Sequence, residues 1–239
     1  MPLPKISTPT YELELPSTGQ TIKYRPFLVK EEKLLVLALE SEDTKQITNA
    51  IKTVIKNCIE TKGIKVETLP TFDIEYLFLN IRGKSVGEEI EVNIICPDDG
   101  ETTVPIAINV DDINVQKNPE HNNKIKLDDS IMMEMKYPSL DQFIKSNFDL
   151  SADNTVDQSF ELIASCIGKI FTEEEVWVAE DVTKKEMIEF LDQMNTSQFK
   201  QIEKFFETMP KLSHTVKVLN PKTKVESEVV LEGLSSFFA

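Results

Sequence analysis

A chain of 239 residues, 40% of them hydrophobic, is long enough to bury a core in one large domain or two small ones. Its 41 acidic residues outweigh 26 basic ones, and the formal charge of −15 repels nucleic-acid phosphates and anionic lipid alike, which argues against nucleic acid as a direct partner. Three widely separated cysteines, Cys58, Cys96 and Cys166, with no apolar signal segment and no bilayer-length apolar run, predict an intracellular protein with reduced thiols and no direct membrane insertion.

The first predicted element is a hairpin over Tyr11 to Arg25, where YELEL and TIKYR alternate on either side of the turn-forming PSTGQ. Lys30 to Ser41 is nearly continuous in leucine and valine, the pattern of a deeply buried helix. In the next segment Ile47, Ala50, Ile51, Val54, Ile55 and Cys58 recur at three- and four-residue spacing, so a second helix shows one core face. After LPT, a third helix carries Ile74, Leu77, Phe78 and Ile81, with Gly83 as its expected end. Glu89 to Cys96 and Thr102 to Val110 alternate as two strands joined by PDDGE, a second hairpin. The polar, aperiodic DDINVQKNPEHNN then leads to two short strand-like stretches, Lys124 to Leu127 and Met132 to Lys136.

Beyond Tyr137 the pattern becomes helical. Three capping signatures open helices there, Ser139 with Gln142, Thr155 with Gln158 and Thr183 with Glu186. Their apolar faces are Leu140, Phe143 and Ile144; Phe160, Ile163, Ala164, Ile167 and Ile170; and Met187, Phe190, Leu191 and Met194. A fourth helix carries Phe199, Ile202, Phe205, Phe206 and Met209, and Pro210 stops it. A third hairpin turns at NPKTK, between Leu219 and Val225. The expected fold is α+β: a mixed part over residues 1–136 with β-hairpins and helices, then a mainly helical part over 137–239 ending in a β-hairpin.

A zinc knuckle needs closely paired ligands, and Cys96 in NIICPDDGETTV has none: the position of a second thiol is Asp99, and the histidines, His121 and His214, lie elsewhere. The stretch reads as a hairpin turn with Cys96 as a small packed residue. No GxSxG, HExxH or phosphate-loop pattern occurs, and the pairs Asp98–Asp99, Asp111–Asp112 and Asp128–Asp129 fall where turns or strand ends are predicted, as aspartate prefers. No catalytic residue, metal ligand or cofactor site is expected. Candidate partner-binding residues are Asp98, Asp99 and Glu101 in the central turn, Glu173, Glu174 and Glu175 beside Trp177, and Phe237 and Phe238 in the tail. Trp177 suits two uses, packing beneath the helices or anchoring a partner, and the tail aromatics likewise suit packing or contact.

The order of segments carries further than any one residue. The stretches LPKISTPTYELELPSTGQTIKYRPFLVKEEKLLVLA, LPTFDIEYLFLNIRGKSVGEEI and FFETMPKLSHTVKVLNPKTKVESEVVLEGLSSFF resemble the baseplate hub subunit family of T-even-like contractile-tailed bacteriophages. The resemblance covers most of the chain and is least characteristic from Asp111 to Asn123. It implies a viral, non-enzymatic protein–protein interaction role in assembly of the central hub of the tail baseplate, with other hub proteins as partners. The host bacterial cytoplasm is the implied place of assembly. A hub subunit retained in the virion and an assembly chaperone that leaves are both compatible with the sequence. The alternatives are a phage-encoded hydrolase associated with the baseplate and a metal-stabilised structural module.

Overall fold

Alternation of half-buried and exposed residues over Tyr11–Glu14 (β1), and of exposed and buried ones over Thr21–Tyr24 (β2), forms the predicted hairpin, with Ile22 and Tyr24 inward. This arrangement comes from a computed structural model, which describes residues 6–142 and 156–237. Helix α1 (Val29–Glu40) follows, then α2 (Thr44–Cys58), opened by the Asp43 carboxylate accepting the backbone N–H groups of Lys45 and Gln46. Ala50, Val54, Ile55 and Cys58 of α2 are buried, on the face that the spacing predicts.

Helix α3 (Thr71–Val86) is enclosed almost all round, burying Phe72, Ile74, Leu77, Phe78, Leu79 and Ile81. It does not end at Gly83. That glycine lies inside the helix against Val110, where a Cβ would come within 3.2 Å of a methyl group, and the helix stops at Gly87, whose φ of 135° only glycine adopts easily. Strands β3 (Glu89–Ile95) and β4 (Thr103–Asn109) pair antiparallel with Ile90 opposite Ile108 and Val92 opposite Ile106. The polar stretch that follows contains a short strand, β5 (Asn114–Gln116).

The chain then builds a second unit, Lys117–Pro210. It comprises β6 (Lys124–Lys126), β7 (Met132–Met135), α4 (Val156–Cys166), β8 (Ile167–Phe171), β9 (Val176–Val178), α5 (Lys184–Asp192) and α6 (Thr196–Thr208). The sheet order is β6-β7-β8-β9, every pair antiparallel. A bulge between Glu134 and Met135 lies opposite Gly168, where a Cβ would meet the Glu134 carbonyl at 3.1 Å. Met133, Met135, Ile167, Ile170, Met187, Leu191, Ile202 and Phe205 form its core. The predicted caps appear as reciprocal bonds between Ser139 and Gln142 and between Thr183 and Glu186, and Asn195 with Gln198 adds another. Phe143, Ile144 and Thr155 fall outside the described residues.

At Lys211 the chain returns to the first unit, Met1–Gln116 with Lys211–Ala239. Strands β10 (Lys211–Leu219) and β11 (Glu226–Glu232) form the predicted hairpin, and β10 also pairs with β5, giving the order β11-β10-β5. Leu79, Ile90, Val92, Ile94, Ile108, Ile113, Leu212, Val216, Val218 and Phe237 share one core.

The mainly helical C-terminal part is therefore a correction. Helices are interspersed with strands along the described chain, and the stretch after residue 137 contributes β8 to β11. Helical spacing of Ile163, Ala164, Ile167 and Ile170 concealed the change: the helix ends at Cys166, and Ile167 to Phe171 pair with β7. Periodicity alone does not separate a buried strand from a continuing buried helix.

Candidate functional site

The central hairpin turn is closed by Cys96 N–H donating to the Thr102 carbonyl at 2.7 Å and Gly100 N–H to the Cys96 carbonyl at 2.9 Å. Its carboxylates are occupied. Asp99 accepts from the N–H groups of Glu101 (3.0 Å) and Thr102 (2.9 Å) and from the Thr102 hydroxyl. Asp98 accepts from the Asn220 amide at 3.1 Å on each oxygen and from the Thr223 hydroxyl, so it latches this turn to the turn of the β10–β11 hairpin. Asn220, fully buried, uses its own carbonyl oxygen to accept the Lys222 N–H. These bonds hold both carboxyls below the usual range: for Asp98 the Thr223 hydroxyl and Asn220 amide are responsible, and for Asp99 the Thr102 side chain and backbone come first. Glu101 remains exposed.

Cys96 is buried, and desolvation, then the charges of Asp98 and Asp99, push its thiol up. Burial raises Cys58 to about 11 and Cys166 to about 12. All three cysteines are free. Among the described residues there is no group of three or more His, Cys, Asp or Glu side chains able to hold a metal ion. His214 Nδ1–H donates to the Asp112 backbone carbonyl at 3.2 Å. His121, expected in a polar linker, is instead packed on the Tyr137 and Phe205 rings, with Nδ1 3.0 Å from the Thr208 hydroxyl and Nε2 3.0 Å from the Tyr137 hydroxyl. Desolvation lowers its pKa.

The second acidic candidate has a different environment. Glu173, Glu174 and Glu175 form the turn between β8 and β9, where the Thr172 hydroxyl accepts the N–H groups of Glu174 and Glu175. Their side chains are exposed, and among the described residues their carboxylates make no hydrogen bond or ion pair. Trp177 lies opposite Ile170 on the core-bearing face of the sheet yet keeps 41% of its surface exposed, and Val176 keeps 62%. Neither full packing beneath the helices nor a fully free anchor describes it. Among the described residues the sheet ends at β9.

In the tail, Phe237 has 0% exposure within the core of the first unit. Of the two uses the sequence left open for this ring, packing or contact, the structure shows packing: Phe237 is buried in the cluster that includes Leu79 and Leu212. Phe238 lies outside the described residues.

One exposed face was hidden by composition. Helix α1 buries only Glu31 and Ala38, while Val29 (78%), Val36 (48%), Leu37 (55%) and Leu39 (59%) face solvent. Its expected deep burial is corrected by the Glu31 side chain, 1% exposed, which turns inward to Arg25 at 3.1 Å and accepts the Leu28 N–H at 2.8 Å. That pair fixes the rotation of the helix, and the leucine and valine run is wide enough to leave an apolar strip outside. The one readable signal was a glutamate at the position where a buried helix face would begin.

No described helix is long and apolar enough to cross a membrane. Residues 8–239 match a family described as T4 bacteriophage base plate protein. No curated protein and no solved structure matches the chain.

Proposed function

The chain belongs to the T4 bacteriophage base plate protein family, and from that premise we propose that it works by protein–protein contact in assembly of the central hub of the tail baseplate. Its role there is that of a hub subunit or of an assembly chaperone. Family membership implies a structural protein of the phage tail baseplate with other baseplate proteins as partners. The observation that supports contact as its work is the outward strip of Val29, Val36, Leu37 and Leu39 on α1. Val36, Leu37 and Leu39 are exposed within one turn, with Val29 nearer the start of the helix, and clustered apolar exposure of this kind suits a surface that another chain covers. Each of these side chains gains roughly 1 kcal/mol or more when water is removed from it.

The test is a tagged pull-down of the full chain from infected cells, with co-purifying proteins identified by mass spectrometry, followed by the same experiment with Val36→Glu and Leu37→Lys together. Recovery of hub proteins by the parent chain and their loss in the variant is the expected outcome. Recovery of none by the parent chain, from cells that make complete tails, removes the hub assignment. Quantifying the protein in purified particles separates the two roles: fixed stoichiometry marks a subunit, and absence marks a chaperone.

A further inference from the structure

Among the described residues, the β6–β7–β8–β9 sheet ends in a strand that is poorly guarded. Native proteins protect sheet edges with lysine, proline, bulges or covering segments, because an open edge offers backbone groups to any passing chain. Edge strand β9, Val176–Val178, carries none of the side chains that usually give such protection. Ala179 N–H donates to the Gly168 carbonyl and Thr172 N–H to the Glu175 carbonyl, which fixes the alternation: Trp177 bonds toward Ile170 of β8, while Val176 and Val178 turn their backbone groups outward. The Val178 carbonyl is taken by Asp181 N–H at 3.0 Å. Among the described residues no backbone group takes the Val176 N–H and C=O or the Val178 N–H, which face the open side.

The flanks of this edge share one sign of charge. Glu173, Glu174 and Glu175 precede the strand and Glu180 and Asp181 follow it, all exposed, with no lysine or arginine between Phe171 and Thr183. Lys169, the cross-strand neighbour of Val178, is engaged with Glu134 at 3.0 Å and lies over the Phe171 ring. Like charge on both flanks repels a second β9 and other acidic segments, so the edge is guarded by charge against some chains and open to others. A half-exposed tryptophan at its centre adds an aromatic face that attracts lysine and arginine side chains.

We propose that β9 accepts an extended, lysine- or arginine-bearing segment of a partner protein, which adds to the sheet as a fifth strand. The three outward backbone groups supply main-chain hydrogen bonds, the flanking carboxylates select cationic side chains, and Trp177 contributes the apolar anchor. This deepens the contact reading above by naming the chemistry of one partner, and it rests on that reading.

Trp177 is the chain's single tryptophan, so its fluorescence reports on this edge alone. The full-length chain is titrated with a decapeptide of alternating lysine and valine, and with a glutamate–valine peptide as control, at low and high salt. Expected are a saturable blue shift with the lysine peptide only, weakening as salt rises, and an affinity at least about tenfold lower in E173K/E174K/E175K. Amide exchange on the unmodified chain supplies a backbone readout: Val176 and Val178 become protected when the lysine peptide is bound. No emission change, equal response to both peptides, or binding without protection of these amides each overturns the proposal. Sedimentation showing Trp177-dependent self-association would assign the edge to a second copy instead. If hub proteins co-purify with the parent chain and equally with the triple variant, the edge assignment fails while the hub reading stands. If none co-purify with the parent chain but the peptide binds as described, the reverse holds.

Discussion

Two acidic turns, one in each unit, look alike in sequence and behave oppositely in the structure. In the β3–β4 turn, Asp98 spends its lone pairs on Asn220 and Thr223 and so ties two hairpins of the first unit together, while Asp99 spends its own on Glu101 and Thr102 and closes the turn. In the β8–β9 turn, the carboxylates of Glu173, Glu174 and Glu175 project into solvent from a turn that Thr172 stabilises without them. The aromatic candidates divide the same way, Phe237 inside the core of the first unit and Trp177 half-exposed on an edge of the second. In these two turns the aspartates are held by hydrogen bonds and the glutamates reach past the backbone, so residue type separated structural from available charge better than charge count did.

The sharpest way to break this contrast is to truncate the two aromatics. Phe237→Ala is expected to cost about 3–5 kcal/mol in urea unfolding, the range for an enclosed phenylalanine, whereas Trp177→Ala costs less than half of that. Equal costs would erase the distinction. Next in size, Asn220→Ala removes the buried amide that bridges the two turns of the first unit, leaving the backbone groups of Lys222 and Thr223 short of their acceptor. It should destabilise by about 1–3 kcal/mol, while E173K/E174K/E175K leaves the melting temperature where it was.

A smaller effect sharpens the role of Asp99. Its pKa is depressed in the folded state, so the stability it contributes is present above the unfolded value of about 3.9 and is lost as pH falls through the lower folded value. Asp99→Asn should therefore flatten the acid limb of a stability-versus-pH curve. The smallest expected effect concerns His121, whose folded pKa is also lowered, here by desolvation. The unfolded chain takes up the proton first, so the stability from neutral His121 is complete above about 6.5 and declines as pH drops below it. His121→Gln should remove that slope from the melting of the second unit, and an unchanged slope would assign it elsewhere.

Much of the fold was legible where one signal acted alone. The three predicted hairpins, the core face of α2 and the Thr183–Glu186 cap each depend on neighbours within a few residues, and each appears in the structure. Strand β5 was not legible, because Ile113, Asn114 and Val115 make sense only beside β10, almost a hundred residues later. The rotation of α1 failed for a related reason: a run of leucine and valine has no face until Arg25 claims Glu31. Of the contact candidates, Trp177 and the three glutamates were singled out by residue type and are exposed in the structure, while the exposed side of α1 was masked by the very hydrophobicity that suggested burial.

The pairing of β5 with β10 also sets an order of events during synthesis. A ribosome delivers residues 117–210 after β5 and before its partner, so the second unit has its whole chain in hand while the first still lacks a strand pair and the Phe237 ring. Domains generally fold as they emerge, yet here the unit that starts first must finish last. A ribosome that stalls after Pro210 would thus release a chain with every residue of its second unit made, while its first unit still had an open core for chaperones and proteases to find.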